Sequence, residues 1–109
     1  AGIIDQGESS EQAAKRECLE ETGCEVKKIT PIQGYFPSPG SSESYYDLFL
    51  GEIDGFDGER IKGLESENED ILVKSYKINE VRKLLQNKKI KNGLTLIALQ
   101  WFFLEYYKD

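Results

Sequence analysis

Ser9-Ser10-Glu11-Gln12-Ala13-Ala14-Lys15-Arg16-Glu17-Cys18-Leu19-Glu20-Glu21-Thr22-Gly23 is the stretch whose reading decides the rest. Ser9 is a good N-cap, and Gln12 three residues later completes a capping-box pattern. The residues from Ser10 to Thr22 are mostly strong helix formers, and Gly23 supplies the left-handed stop. The spacing therefore predicts a helix over 10–22. Glu17, Glu20 and Glu21 stand at i, i+3 and i+4, which puts three carboxylates on one helical face. They repel one another, and they sit toward the helix C-terminus, where the dipole disfavours anions. Two readings satisfy that pattern. One is a solvated acidic face. The other is a site for a hard dication such as Mg²⁺, which takes oxygen ligands and completes its shell with waters and substrate phosphates. Arg16 stands beside them and can neutralise or orient one carboxylate.

Working outward, Asp5-Gln6-Gly7-Glu8 reads as a turn leading into the helix, and the apolar Ala1 to Ile4 as the end of a strand. Strands are predicted at Cys24 to Ile32, Tyr45 to Ile53 and Ile71 to Tyr76. Pro37 to Ser42 and Gly55 to Gly58 read as loop and turn, and Gly63 to Asp70 as an acidic, irregular segment. Asn79 is expected to cap a helix through Gln86. Asn92 is expected to cap a last helix to Tyr107, apolar nearly all round and so buried in a core or an interface. Strands mixed with a few helices give an α+β or layered architecture in a single domain over residues 1–109.

Composition narrows the function. The chain has 109 residues, 39% hydrophobic and 31% charged, which fits a folded domain. Its 20 acidic residues outnumber 14 basic ones, for a formal net charge of −6, so the basic footprint of a nucleic-acid binder is missing. An anionic ligand would need a bridging cation or a local basic patch. The longest apolar run, around Leu96 to Leu104, is too short to span a bilayer. No signal peptide is visible, and a cytoplasmic setting is expected. Cys18 and Cys24 lack zinc spacing, and the chain has no histidine; both read as small apolar residues in a reducing compartment. The start at Ala1 without a Met suggests a piece of a longer protein.

Gly2, five residues, Glu8, seven residues, then Arg16-Glu17-Cys18-Leu19-Glu20-Glu21-Thr22-Gly23-Cys24 resembles the signature of the Nudix hydrolases, with every fixed position filled. Ser38-Pro39-Gly40, Gly63-Leu64, Glu67 to Ile71 and Ile97 to Trp101 resemble its ADP-ribose pyrophosphatase branch. The resemblance implies an α/β/α sandwich around a mixed sheet, here lacking its N-terminal strands. It implies Mg²⁺ held by Glu17, Glu21, a conditional Glu20 and the carbonyl of Ala1, with Mn²⁺ a substitute. It gives Arg16 the role of holding the glutamates, with Glu8 in support. Glu67 takes the place of the general base, with Glu69 as the neighbouring candidate and Glu65 as a competitor. Ser38, Pro39 and Gly40 fall on the substrate side, and Tyr35, Phe36 and Tyr45 are candidates for stacking on a base.

The implied reaction is hydrolysis of ADP-ribose to AMP and ribose 5-phosphate. The alternatives are another nucleoside diphosphate sugar, such as GDP-mannose, or an inert nucleotide-binding fragment. The implied partners are that small molecule and, in the full-length protein, a second copy in a homodimer; neither nucleic acid nor membrane is expected. One position departs from the pattern: relatives often carry an acid four places after the glycine of Ser38-Pro39-Gly40, and here that place is Ser44, beside Glu43.

Overall fold

Ser9 starts the first helix as its sequence dictates: in the computed structural model its Oγ accepts from Gln12 N at 3.1 Å, and Gln12 Oε1 accepts from Ser9 N at 2.9 Å. The structure describes residues 2–38, 40, 44–56, 59–62 (backbone only) and 71–108. Helix α1 runs Ser10–Thr22 and ends at Gly23, whose φ of 74° is the left-handed conformation that only glycine adopts cheaply. We expect Ser9→Ala to cost about 0.5–2 kcal/mol, read as a lower urea midpoint with an unchanged slope.

Four strands follow: β1 Val26–Tyr35, β2 Tyr46–Ile53, β3 Glu59–Lys62 and β4 Ile71–Lys74. β1 pairs antiparallel with β2, from Val26 opposite Ile53 to Tyr35 opposite Tyr46. The register shifts between Val26 and Lys28 and between Pro31 and Gln33. The second shift adjoins Pro31, which has no N–H to give the ladder, and such irregularities are where a strand tolerates proline. β3 pairs antiparallel with β4, Glu59 opposite Lys74. Every pairing among the described residues is antiparallel and joins strands consecutive in the chain, while the class is α+β as expected. The backbone of α1 lies against all four strands.

The chain divides after Ser75 into two units. The second holds α2 Ile78–Gln86, α3 Gly93–Trp101 and a π-helical turn Phe102–Tyr106. Asn92 caps α3 as predicted, its Oδ1 accepting from Thr95 N at 3.1 Å.

Several expectations are corrected. Residues 2–5 have no ladder partner among the described residues, and Ile3 is 84% exposed. The strand at 59–62 was not anticipated from sequence. Lys77, not Asn79, occupies the N-cap of α2, because Glu80 reaches back to accept from Lys77 N at 2.8 Å. The last helix changes pitch at Phe102, and none of its residues is buried. The wider turn brings residues i and i+5 into line, so Trp101 stacks on Tyr106 (5.4 Å) and Phe102 on Tyr107 (5.7 Å). Arg82 of α2 lies over the rings of Phe103 and Tyr107, at 5.0 and 5.6 Å, and ties α2 to that turn.

Candidate functional site

Ala13, Arg16, Glu17 and Glu20 fall on one face of α1, and Ala13 is the only fully buried residue among those described, at 4% exposed. The side chains of Glu17 and Glu20 are 20% and 25% exposed, whereas Leu19, on the other side of the helix, is 51% exposed. This inverts the usual arrangement, in which the apolar residue is sheltered and the acids are solvated. Part-buried carboxylates need compensation, and Arg16 provides it.

Its guanidinium spends all five N–H donors. Nε donates to Glu8 Oε2 at 2.7 Å, and Nη2 to Glu8 Oε1 at 3.1 Å and to the Ile3 carbonyl at 3.0 Å. Nη1 donates to Glu17 Oε1 at 2.9 Å and to Glu20 Oε2 at 3.2 Å. Asp5 adds a fourth carboxylate, 3.4 Å from Nη2 but itself well exposed. The turn is held by Glu8 N donating to the Asp5 carbonyl at 3.0 Å and by Asp5 N donating to Glu8 Oε1 at 2.9 Å.

The hydrogen bond from Arg16, and then that from Asp5 N, hold the Glu8 carboxyl below its ordinary value of 4.5. The bond to Glu8 in turn raises Arg16 above the ordinary arginine value, against the opposing effect of its partial burial, so its charge is permanent. A depressed carboxyl favours the folded state where it is ionised. The stabilisation from Glu8 is therefore complete above its unfolded value near 4.5 and is lost as the pH falls through its lower folded value. Accordingly, Glu8→Gln should unfold at lower urea than the parent at about pH 7, and the two midpoints should converge by about pH 3. A gap that persists in acid would show that the side chain acts by packing alone.

Gly2 completes the arrangement. A Cβ there would run into the carboxyl carbon and Oε1 of Glu17, so the missing side chain is what lets that carboxylate lie against the incoming strand-like segment. Among the described residues no three acid or cysteine side chains converge as a ready-made metal cage. A hard dication does not require one, because Mg²⁺ often takes one or two carboxylates and completes its shell with waters and phosphates. Oxygen donors alone, and a carboxylate seated in a space that a Cβ would fill, fit such an ion.

Of the residues singled out from sequence, the structure brings Arg16, Glu8, Glu17 and Glu20 together. Glu21 is half-exposed one turn beyond Glu17. Ser38 and Gly40 are exposed in the bend and turn after β1, Gly40 with φ 78°. Ala1, Pro39, Glu43, Glu65, Glu67 and Glu69 lie outside the described residues. Phe36 and Tyr45 are both exposed and meet edge to face at 4.8 Å, and Tyr35 meets Tyr46 at 5.7 Å, so these rings pair first with each other. Both cysteines are free thiols, as expected. Asp5 and the Ile3 carbonyl were missed by sequence reading. The signal for Asp5 was its place at the head of the turn that closes on Glu8.

Fold and site together define an α+β domain that carries an arginine-ordered carboxylate helix, entered from a glycine-led segment. The chain belongs to the NUDIX domain family, whose model matches residues 1–96. It is 40% identical over 106 residues to the ADP-ribose pyrophosphatase of Haemophilus influenzae, a match covering 97% of this chain and 49% of that protein. It is 38% identical over 106 residues to the ADP-ribose pyrophosphatase of Escherichia coli K12, covering 97% and 51%. It is 27% identical over 110 residues to the GDP-mannose pyrophosphatase of Escherichia coli O1:K1, covering 100% and 56%. The chain spans about half the length of these relatives. Among the described residues no helix is long and apolar enough to cross a membrane.

Proposed function

We propose that this chain carries the catalytic helix of a dication-dependent hydrolase that splits ADP-ribose into AMP and ribose 5-phosphate. The observation that carries the reading is the inverted burial of α1, with Glu17 and Glu20 sheltered and tied to one arginine while Leu19 faces solvent. The higher identity to ADP-ribose pyrophosphatases than to the GDP-mannose enzyme favours the first substrate.

In this reading Glu17 and Glu21, a conditional Glu20 and the Ala1 carbonyl hold the ion, Mg²⁺ with Mn²⁺ as substitute. When bound, that ion neutralises the diphosphate and lowers the pKa of water. The protein's own groups do the remainder. Arg16 fixes the Glu17 and Glu20 carboxylates and balances their charge. Glu8 and the Ile3 carbonyl fix Arg16 in turn. Glu67 accepts the proton of the attacking water, with Glu69 as the neighbouring candidate. Such a base within hydrogen-bond reach contributes about 10²–10⁴-fold, and a loop position lets it close on bound substrate. Ser38, Pro39 and Gly40 contact the substrate. The setting is cytoplasmic and the assembly a homodimer.

A substrate panel on the intact natural protein tests this. ADP-ribose should be split in the presence of Mg²⁺, with AMP and ribose 5-phosphate as products, and a chelator should stop the reaction. Fast hydrolysis of GDP-mannose with none of ADP-ribose would reverse the substrate assignment, and turnover unaffected by chelation would remove the ion.

A further inference from the structure

The Arg16 guanidinium has two functionally different sides. Three donors, on Nε and Nη2, are committed to Glu8 and to the Ile3 carbonyl. The paired bonds to Glu8 form a fork-to-fork contact, the geometry that fixes an arginine most firmly. The other two donors, both on Nη1, hold one oxygen each of Glu17 and Glu20. We propose that binding of the dication is an exchange at Nη1: Glu20 leaves Nη1 for the ion, while Nε and Nη2 stay fixed on Glu8 and Ile3. This rests on the metal reading above and deepens it.

Three features of the geometry carry the proposal. The first is charge. A dication ligating Glu17 comes within a few ångströms of Nη1, where like charges repel strongly in a part-buried site. The second is that the guanidinium has nowhere to go, because three of its donors and the covalent stem are anchored on the far side. The strain must fall on the carboxylates, whose side chains are long and rotatable. The third is the difference between the two grips. Glu20 is held at 3.2 Å and Glu17 at 2.9 Å, and Glu17 is also confined by the backbone at Gly2. Glu20 is thus the looser of the two and has the freedom to turn. Arg16 would keep the acids together and charge-balanced until the ion takes over part of that task.

The test uses nitrogen-15 NMR of the arginine side chains in the intact natural protein, titrated with Mg²⁺ alone, beside thermal melting under the same conditions. The expected result is that the Arg16 Nη1 signals shift or are lost to exchange with water as Mg²⁺ is added. The Nε–H signal keeps its position, and the melting temperature rises. In Glu20→Gln the melting response should persist but the Nη1 response should vanish, since no carboxylate is left to change hands there. A rise in melting temperature with Nη1 unmoved would overturn the exchange and leave the metal reading standing. So would an Nε signal that moves together with Nη1, because it would mean that Arg16 leaves Glu8 bodily. An Nη1 response retained in Glu20→Gln would overturn the assignment to Glu20. No Mg²⁺ response in either measurement would remove the metal reading and the exchange with it.

Discussion

Glu21→Gln in the intact natural protein is expected to lower Mg²⁺-dependent turnover of ADP-ribose by at least about 100-fold, since even the outer partners of metal ligands cost about 10–100-fold when removed. The substitution keeps the size of the side chain and removes one charge. Glu21 follows Glu17 by four residues on α1, so that charge repels a like charge one turn away. It also sits in the last helical turn, which has no basic residue and where the dipole opposes an anion. Without metal, the melting temperature should therefore hold or rise slightly, by the equivalent of about 0.2–0.5 kcal/mol. With metal, the stabilisation that Mg²⁺ gives the parent should shrink. Two measurements decide it: steady-state hydrolysis with excess Mg²⁺, and melting curves with and without the ion. Turnover within a few-fold of the parent would take Glu21 out of the ligand set. A fall of several degrees in the metal-free melting temperature would assign the carboxylate a structural task instead.

The contrast between what was legible in sequence and what was not follows the range of the interactions. The capping of α1 by Ser9 and Gln12 and its stop at Gly23 are contacts within four residues, and the chain writes them out directly. The association of Arg16 with Glu20 is an i, i+4 contact on a helix and was equally readable. Strand β3 was not, because four residues become a strand through pairing with Ile71–Lys74, and that partner is not local. The cap of α2 was misplaced by two residues because a lysine lacks a capping acceptor. The decisive bond came instead from Glu80 back to the Lys77 N–H. The burial of Glu17 in place of Leu19 lay furthest from view. Helical spacing gives the faces of α1 but not which of them the strands will cover, and the apolar residue was the obvious candidate. The carboxylate triple alone left an acidic surface and an ion site both open. The described part of the site closes that question against a freely solvated face, because Glu17 and Glu20 share one arginine and little water.

Gly2→Ala should produce the opposite dissociation from a packing defect, with the fold kept and the chemistry impaired. The added Cβ meets only the far end of Glu17, its Cγ, carboxyl carbon and Oε1, which is flexible and can swing aside. The Gly2 backbone is not in the left-handed region, so alanine imposes no conformational strain there. The loss of freedom in the unfolded chain even favours the variant. Stability should then stay within about 1 kcal/mol of the parent. The atom displaced, however, is the Oε1 that accepts from Arg16 Nη1, on a carboxylate proposed to hold the ion. Misplacing a reacting group by about 1 Å can cost on the order of 10²-fold. We therefore expect ADP-ribose turnover to fall about 10–100-fold, with a higher Mg²⁺ concentration needed for half-maximal rate. Raising Mg²⁺ should recover part of the rate, because a displaced ligand weakens the site without deleting it, and Glu21→Gln should show less such recovery. If Gly2→Ala melts several degrees lower and loses activity only in proportion to the unfolded fraction, then the glycine serves the backbone and not the carboxylate. If both activity and Mg²⁺ dependence are unchanged, Glu17 does not need its place beside Gly2, and the geometry on which the site rests would have to be redrawn.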